Sequence, residues 1–150
     1  MSIDFEQLAF IEKWRAKAAR GVVVALDGRR GDLVLTVRVG DFGEQLDLRG
    51  RDATGAARKA RLAIGDRVTI AIEYSAADAV PGTGRPAVTN GHVGPGAVVE
   101  GTVASTGEIA VVRCGAEVLV RGETLSGFAA GDGVRFTVAD EGRAYLIPTR

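Results

Sequence analysis

Gly65-Asp66-Arg67-Val68-Thr69-Ile70-Ala71-Ile72 and Gly131-Asp132-Gly133-Val134-Arg135-Phe136-Thr137-Val138 are one phrase written twice, Gly-Asp-x-Val-x-apolar-x-apolar. Each copy is a turn followed by an alternation of period two, the pattern of a strand with one buried face. A β-unit that recurs within 150 residues predicts two similar β-modules in series. Modules of about 55 to 75 residues are marginal alone, so the two are expected to share an interface.

Working outward from the first phrase, period-two runs at 22–26, 33–39 and 44–49 read as a three-strand meander. Asp27-Gly28-Arg29-Arg30-Gly31-Asp32 and Gly40-Asp41-Phe42-Gly43 separate the runs. Residues 53–61 hold helix formers and predict a short helix before the strand at 67–74. The Pro- and Gly-rich stretch 75–86 reads as a long exposed loop, and Ala87-Val88-Thr89 as a fifth strand. Asn90-Gly91-His92-Val93-Gly94-Pro95-Gly96 marks the hinge to a tighter second copy, with strands expected at 97–103, 108–114, 117–121, 133–139 and 143–147. Upstream, Ile3, Gln7, Phe10, Ile11, Trp14 and Ala18 form one apolar stripe at helical spacing. Acids lie early in that segment and Lys13, Arg15, Lys17 and Arg20 late, as a helix dipole prefers. The expected fold is mainly β: an N-terminal α-helix over 1–20, then two five-stranded OB-like barrels over 21–90 and 91–150. Five short strands with an insertion between the third and fourth give the OB order.

Within the second copy, Gly101-Thr102-Val103, Gly107-Glu108-Ile109-Ala110-Val111-Val112, Glu117-Val118-Leu119-Val120-Arg121, Leu125, Phe128 and the second Gly-Asp phrase together resemble a cold-shock domain. The resemblance covers about a third of the chain and implies binding of single-stranded nucleic acid on the two central strands. In that family aromatic side chains there stack on bases. Here the places hold Ile109, Val111, Leu119 and Arg121, none of them aromatic.

Composition narrows the function classes. Lys and Arg number 19 against 19 Asp and Glu, so no net field draws a polyanion. No apolar run reaches the roughly 20 residues of a membrane span, and acids precede the first apolar residues, unlike a secretory leader. A cytoplasmic protein is expected. The single cysteine, Cys114, forms no internal disulfide, and the single histidine, His92, has no ligand pair at metal-site spacing. No catalytic residue, metal or cofactor is therefore expected, and the chain reads as a non-enzyme.

Two functions remain. One is an adaptor or structural subunit working by protein–protein contact or self-association. Phe5 and Leu8, which point away from the helical stripe, and Trp14 are its candidate partner-binding residues. The other is an accessory RNA or single-stranded DNA binder. Residues 49–67 carry six basic side chains against Asp52 and Asp66, and Arg49, Arg51, Arg58, Lys59 and Arg61 are the candidates to neutralise phosphates.

Overall fold

A computed structural model describes residues 12, 18–29, 32–40 and 45–147. The meander appears as β1 (Ala19–Arg29), β2 (Asp32–Val39) and β3 (Leu46–Asp52), each antiparallel to the next. A four-residue helix, α1 (Ala56–Lys59), then leads to β4 (Arg67–Tyr74). β4 runs through Ser75 directly into β5 (Ala76–Pro81), so the expected long loop begins as strand. Two-residue strands β6 (Ala87–Val88) and β7 (His92–Val93) follow. The second half supplies β8 (Val98–Ser105), β9 (Ile109–Arg113), β10 (Glu117–Arg121), a 3-10 turn at Gly122–Leu125, β11 (Gly133–Val138) and β12 (Gly142–Leu146).

Among the described residues the twelve strands form one connected sheet: ten follow the order β1-β2-β3-β12-β4-β10-β9-β8-β11-β5, β6 pairs with β8, β7 pairs with β3, and β1 also pairs with β4. The ring β1-β2-β3-β12-β4 is therefore a closed five-stranded barrel, and its fifth strand comes from the C-terminal end of the chain. β12 lies parallel to β3, with Arg143 beside Arg51, and antiparallel to β4, with Ala144 beside Ile72. In return β5, from the first half, pairs with β11, while the end of β4 pairs with β10.

The expectation of an N-terminal helix followed by two five-stranded barrels, each closed by its own half, is thereby overturned. Most of the expected helix, 1–17 apart from Glu12, lies outside the described residues. Its last two residues, Ala19 and Arg20, are extended and paired with Ile70 and Thr69. A Cβ on the next residue, Gly21, would collide with the carbonyl oxygen of Arg38, so the chain is already packed in the sheet there. Segment 87–89 does not close the first barrel either: Ala87 and Val88 pair with Glu100 and Val99. The room for β12 comes from small residues. A Cβ on Gly142 would lie 2.6 Å from the Tyr74 ring, and one on Gly50 would lie 2.8 Å from Ile72.

The main core lies inside these strands and includes Val23, Leu35, Val37, Ile70, Tyr74, Val99 and Phe136. Buried Tyr74 donates its hydroxyl proton to the Arg49 carbonyl at 2.8 Å, which satisfies its one polar atom. A second cluster, Ala71, Ile109, Val111, Leu119, Tyr145 and Ile147, occupies the opposite sheet face.

The two Gly-Asp phrases fold alike. Asp66 Oδ2 accepts the Ala63 N–H and Asp132 Oδ2 the Ala129 N–H, both at 2.8 Å. Gly65 and Gly131 stand at φ 99° and 95°, a left-handed geometry that glycine adopts without strain. Each turn then holds the strand beside it: Gly65 N–H and Asp66 C=O bond Val23, and Gly131 N–H and Asp132 C=O bond Val103.

Candidate anion-binding cleft

Alternation along β1 buries Val23 and turns Arg20 and Val22 outward. The strand pairings carry neighbours to the same outer face. Val22 stands between Arg38 of β2 and Arg67 of β4, and Arg20 stands beside Thr69. Together with Gln45 and Gly40 these residues line an open cleft of about 720 Å³ on the barrel wall. Among the described residues one acid, Asp47, pairs with its three guanidiniums. Arg38 is held by Asp47 through Nε–Oδ1 at 2.9 Å and Nη2–Oδ2 at 3.2 Å, a bidentate pair that raises the Arg38 pKa. Among the described residues no ion pair engages Arg20 or Arg67.

The structure does not gather the five basic residues expected to contact phosphate. Arg49 is tied to Glu141 at 2.7 Å. Arg51 lies beside Arg143 on the outer face of β3 and β12. Arg58 and Lys59 are exposed on α1, whose first turn is capped by Asp52 through the Ala57 and Arg58 N–H groups at 3.3 and 3.1 Å. Arg61 is exposed and left-handed at φ 52°. Arg67, of the same segment, joins Arg20 and Arg38 instead. Sequence reasoning missed those two, taking Arg20 as a helix-end charge and Arg38 as an ordinary strand position. A usable signal was present: Arg67 interrupts the match between the phrases, where the other copy has Gly133.

The face on which a cold-shock domain would take bases is closed, with Ile109, Val111 and Leu119 buried in the second apolar cluster. Arg121 beside them pairs with Glu123 at 2.8 Å. The expected partner-binding residues Phe5, Leu8 and Trp14 lie outside the described residues.

A second open recess, of about 660 Å³, is bounded by Arg49, His92, Asn90 and the Gly94-Pro95-Gly96 turn. Among the described residues no three His, Cys, Asp or Glu side chains are placed to share a metal ion. Cys114 is buried against the Ala116 carbonyl, and burial raises its thiol pKa to about 11. Among the described residues no helix is long and apolar enough to cross a membrane.

The chain is similar to a solved structure, that of ModG. The ModG structure is that of a cytoplasmic molybdate-binding protein, in a PEG-grown form with molybdate bound. The two share 17% identity over 87% of this chain and 95% of ModG, with a TM-score of 0.49. No protein-family model matches this chain, and no curated protein does.

Proposed function

We propose that this chain is a non-catalytic binding protein that holds an anionic surface of a partner in the cleft formed by β4, β1 and β2. The observation that carries this reading is the convergence of Arg20, Arg38 and Arg67 on one open recess where, among the described residues, Asp47 pairs with Arg38 alone. Guanidiniums suit the role because each presents several N–H donors in a fixed plane to carboxylate or phosphate oxygens.

The test is fluorescence anisotropy with labelled polyglutamate and labelled oligothymidylate, each 20 units long, at low and moderate salt. We expect saturable binding that weakens with salt and falls at least about tenfold in Arg20→Glu/Arg67→Glu. Absence of binding by either probe, or binding indifferent to this double substitution, would defeat the cleft.

A second reading, contact with nucleic-acid phosphates, is favoured by the neighbouring pair Arg51 and Arg143 and by exposed Arg58, Lys59 and Arg61. It predicts that oligothymidylate binding drops in Arg51→Glu/Arg58→Glu and persists in Arg20→Glu/Arg67→Glu.

A further inference from the structure

The register of the strands sets the two halves side by side, residue for residue. Arg20-Gly21-Val22 pairs with Thr69-Val68-Arg67, and Glu100-Gly101-Thr102 pairs with Arg135-Val134-Gly133. On the next strand Val22 stands opposite Arg38 and Thr102 opposite Arg113. Those arginines each bind an acid across their own hairpin, Arg38 to Asp47 and Arg113 to Glu117. Gly21 and Gly101 share a further restriction, since a Cβ on either would strike the carbonyl oxygen of the arginine opposite. Glu100 thus occupies the place of Arg20, Thr102 that of Val22, and Gly133 that of Arg67.

In the second half this outer groove is occupied by the chain itself. Residues 82–85 leave β5, cross the outer side of β11 and β8, and enter β6 on the far edge of β8. Glu100 fastens the crossing by accepting the Thr83 N–H at 2.8 Å and the Thr83 hydroxyl at 2.7 Å, and these bonds lower its pKa. Thr102 donates its hydroxyl to the Gly84 carbonyl at 3.2 Å, and Gly82 N–H bonds the Gly133 carbonyl at 3.1 Å. Gly133 must be glycine here, because a Cβ would collide with the Gly82 carbonyl oxygen and lie 2.7 Å from Gly84 N. In the first half no described residue crosses the same groove, which is lined as a cleft by Arg20, Val22 and Arg67, and the anchoring groups differ. Arg20 replaces the acceptor Glu100, and Arg67 stands where the crossing chain requires glycine.

We infer that the open groove over β4 and β1 docks an extended acidic peptide segment of a partner protein, crossing where residues 82–85 cross β11 and β8. The inference rests on the cleft reading above and names its occupant. A carboxylate takes the place of Thr83, since Arg20 offers donors where Glu100 offers acceptors. The Arg67 side chain holds the segment farther from the sheet than Gly133 does, so ion pairs to Arg20 and Arg67 replace the backbone bond made by Gly82. Gly40 and Gln45 line the same cleft beside Arg20 and Arg38. The occupied groove therefore supplies the path, and the arginines supply the sign of the charge.

The experiment titrates the isotopically labelled full chain with the peptide acetyl-Gly-Glu-Gly-Glu-Gly-amide and, separately, with a 20-unit oligothymidylate, and follows backbone amide shifts. Saturable peptide shifts at Arg20, Val22, Val68, Thr69 and Gly40, reduced at least about tenfold in affinity by Arg67→Glu, are the expected result. Arg113→Glu, an exposed charge on β9 outside the cleft, should leave the affinity within about twofold. The oligonucleotide shifting those amides while the peptide shifts none overturns the peptide inference and leaves an anion-binding cleft standing. Failure of both probes, with dispersed spectra showing the variants folded, overturns the inference and the cleft reading together. Peptide binding that Arg67→Glu leaves unchanged also overturns the inference.

Discussion

At the scale of single residues, position within the sheet decides what each side chain can do. Cys114 closes the edge of β9 and is packed against its own turn, and its thiol pKa rises to about 11 chiefly by desolvation. In the unfolded chain the thiol returns to its ordinary value near 9.0. A raised folded pKa contributes stability that is fully present below pH 9 and is lost as pH climbs from 9 to about 11, because only the unfolded chain then ionises. Two pH units correspond to roughly 3 kcal/mol, an order-of-magnitude figure. Val39 holds the corresponding place in β2, so Cys114→Val keeps an apolar side chain there. Urea unfolding of the two chains at pH 7.5 and pH 10.5 isolates the thiol from other alkaline groups such as Tyr74, whose pKa burial also raises. The natural chain should lose more stability than Cys114→Val over that interval, and equal losses would contradict the assignment.

At the scale of elements, the Gly-Asp phrase was legible because its physics is local. Gly supplies the left-handed residue, Asp closes the turn on an N–H three residues back, and the alternation after it announces a strand. Asp66→Ala and Asp132→Ala each remove one such bond, and each should cost about 1 kcal/mol in denaturant unfolding. A near-zero cost at both positions would show that the backbone bonds to Val23 and Val103 alone hold the turns. The basic segment 49–67 was less legible. A run of charge in sequence does not say which side chains share a face, and here Asp52 caps α1, Glu141 takes Arg49, and Arg67 departs to another wall of the barrel. The cleft could be read only after strand pairing had placed Arg20, Arg38 and Arg67 together, because they come from three strands. β5 escaped notice for a different reason. Ala76-Ala77-Asp78-Ala79-Val80-Pro81 has weak alternation and a left-handed Asp78 at φ 54°, and tertiary pairing with β11 overrides its low strand propensity.

At the scale of the whole molecule, period-two alternation at 143–146 identifies a strand but carries no information about its partners. The choice between closing the nearer strands and reaching back to β3 and β4 is set by fit: Gly50 and Gly142 admit Ile72 and Tyr74 at the crossing. The consequence is mutual dependence. The first 90 residues lack β12 and leave the facing edges of β3 and β4 unpaired. The last 60 lack β5 and leave an edge of β11 unpaired, and both lose apolar cover with those strands. Fragments 1–90 and 91–150, expressed separately, should therefore show poorly dispersed amide spectra and no cooperative thermal transition. Mixed in equal amounts, they should regain a dispersed spectrum and a single transition, since each supplies the strand the other lacks. Hydrogen exchange on the mixture should then protect β3, β4 and β11 together. Cooperative folding of either fragment alone as a monomer would show that local strands close the barrel without the exchange, and the reciprocal placement of β5 and β12 would no longer be what holds the two halves as one body.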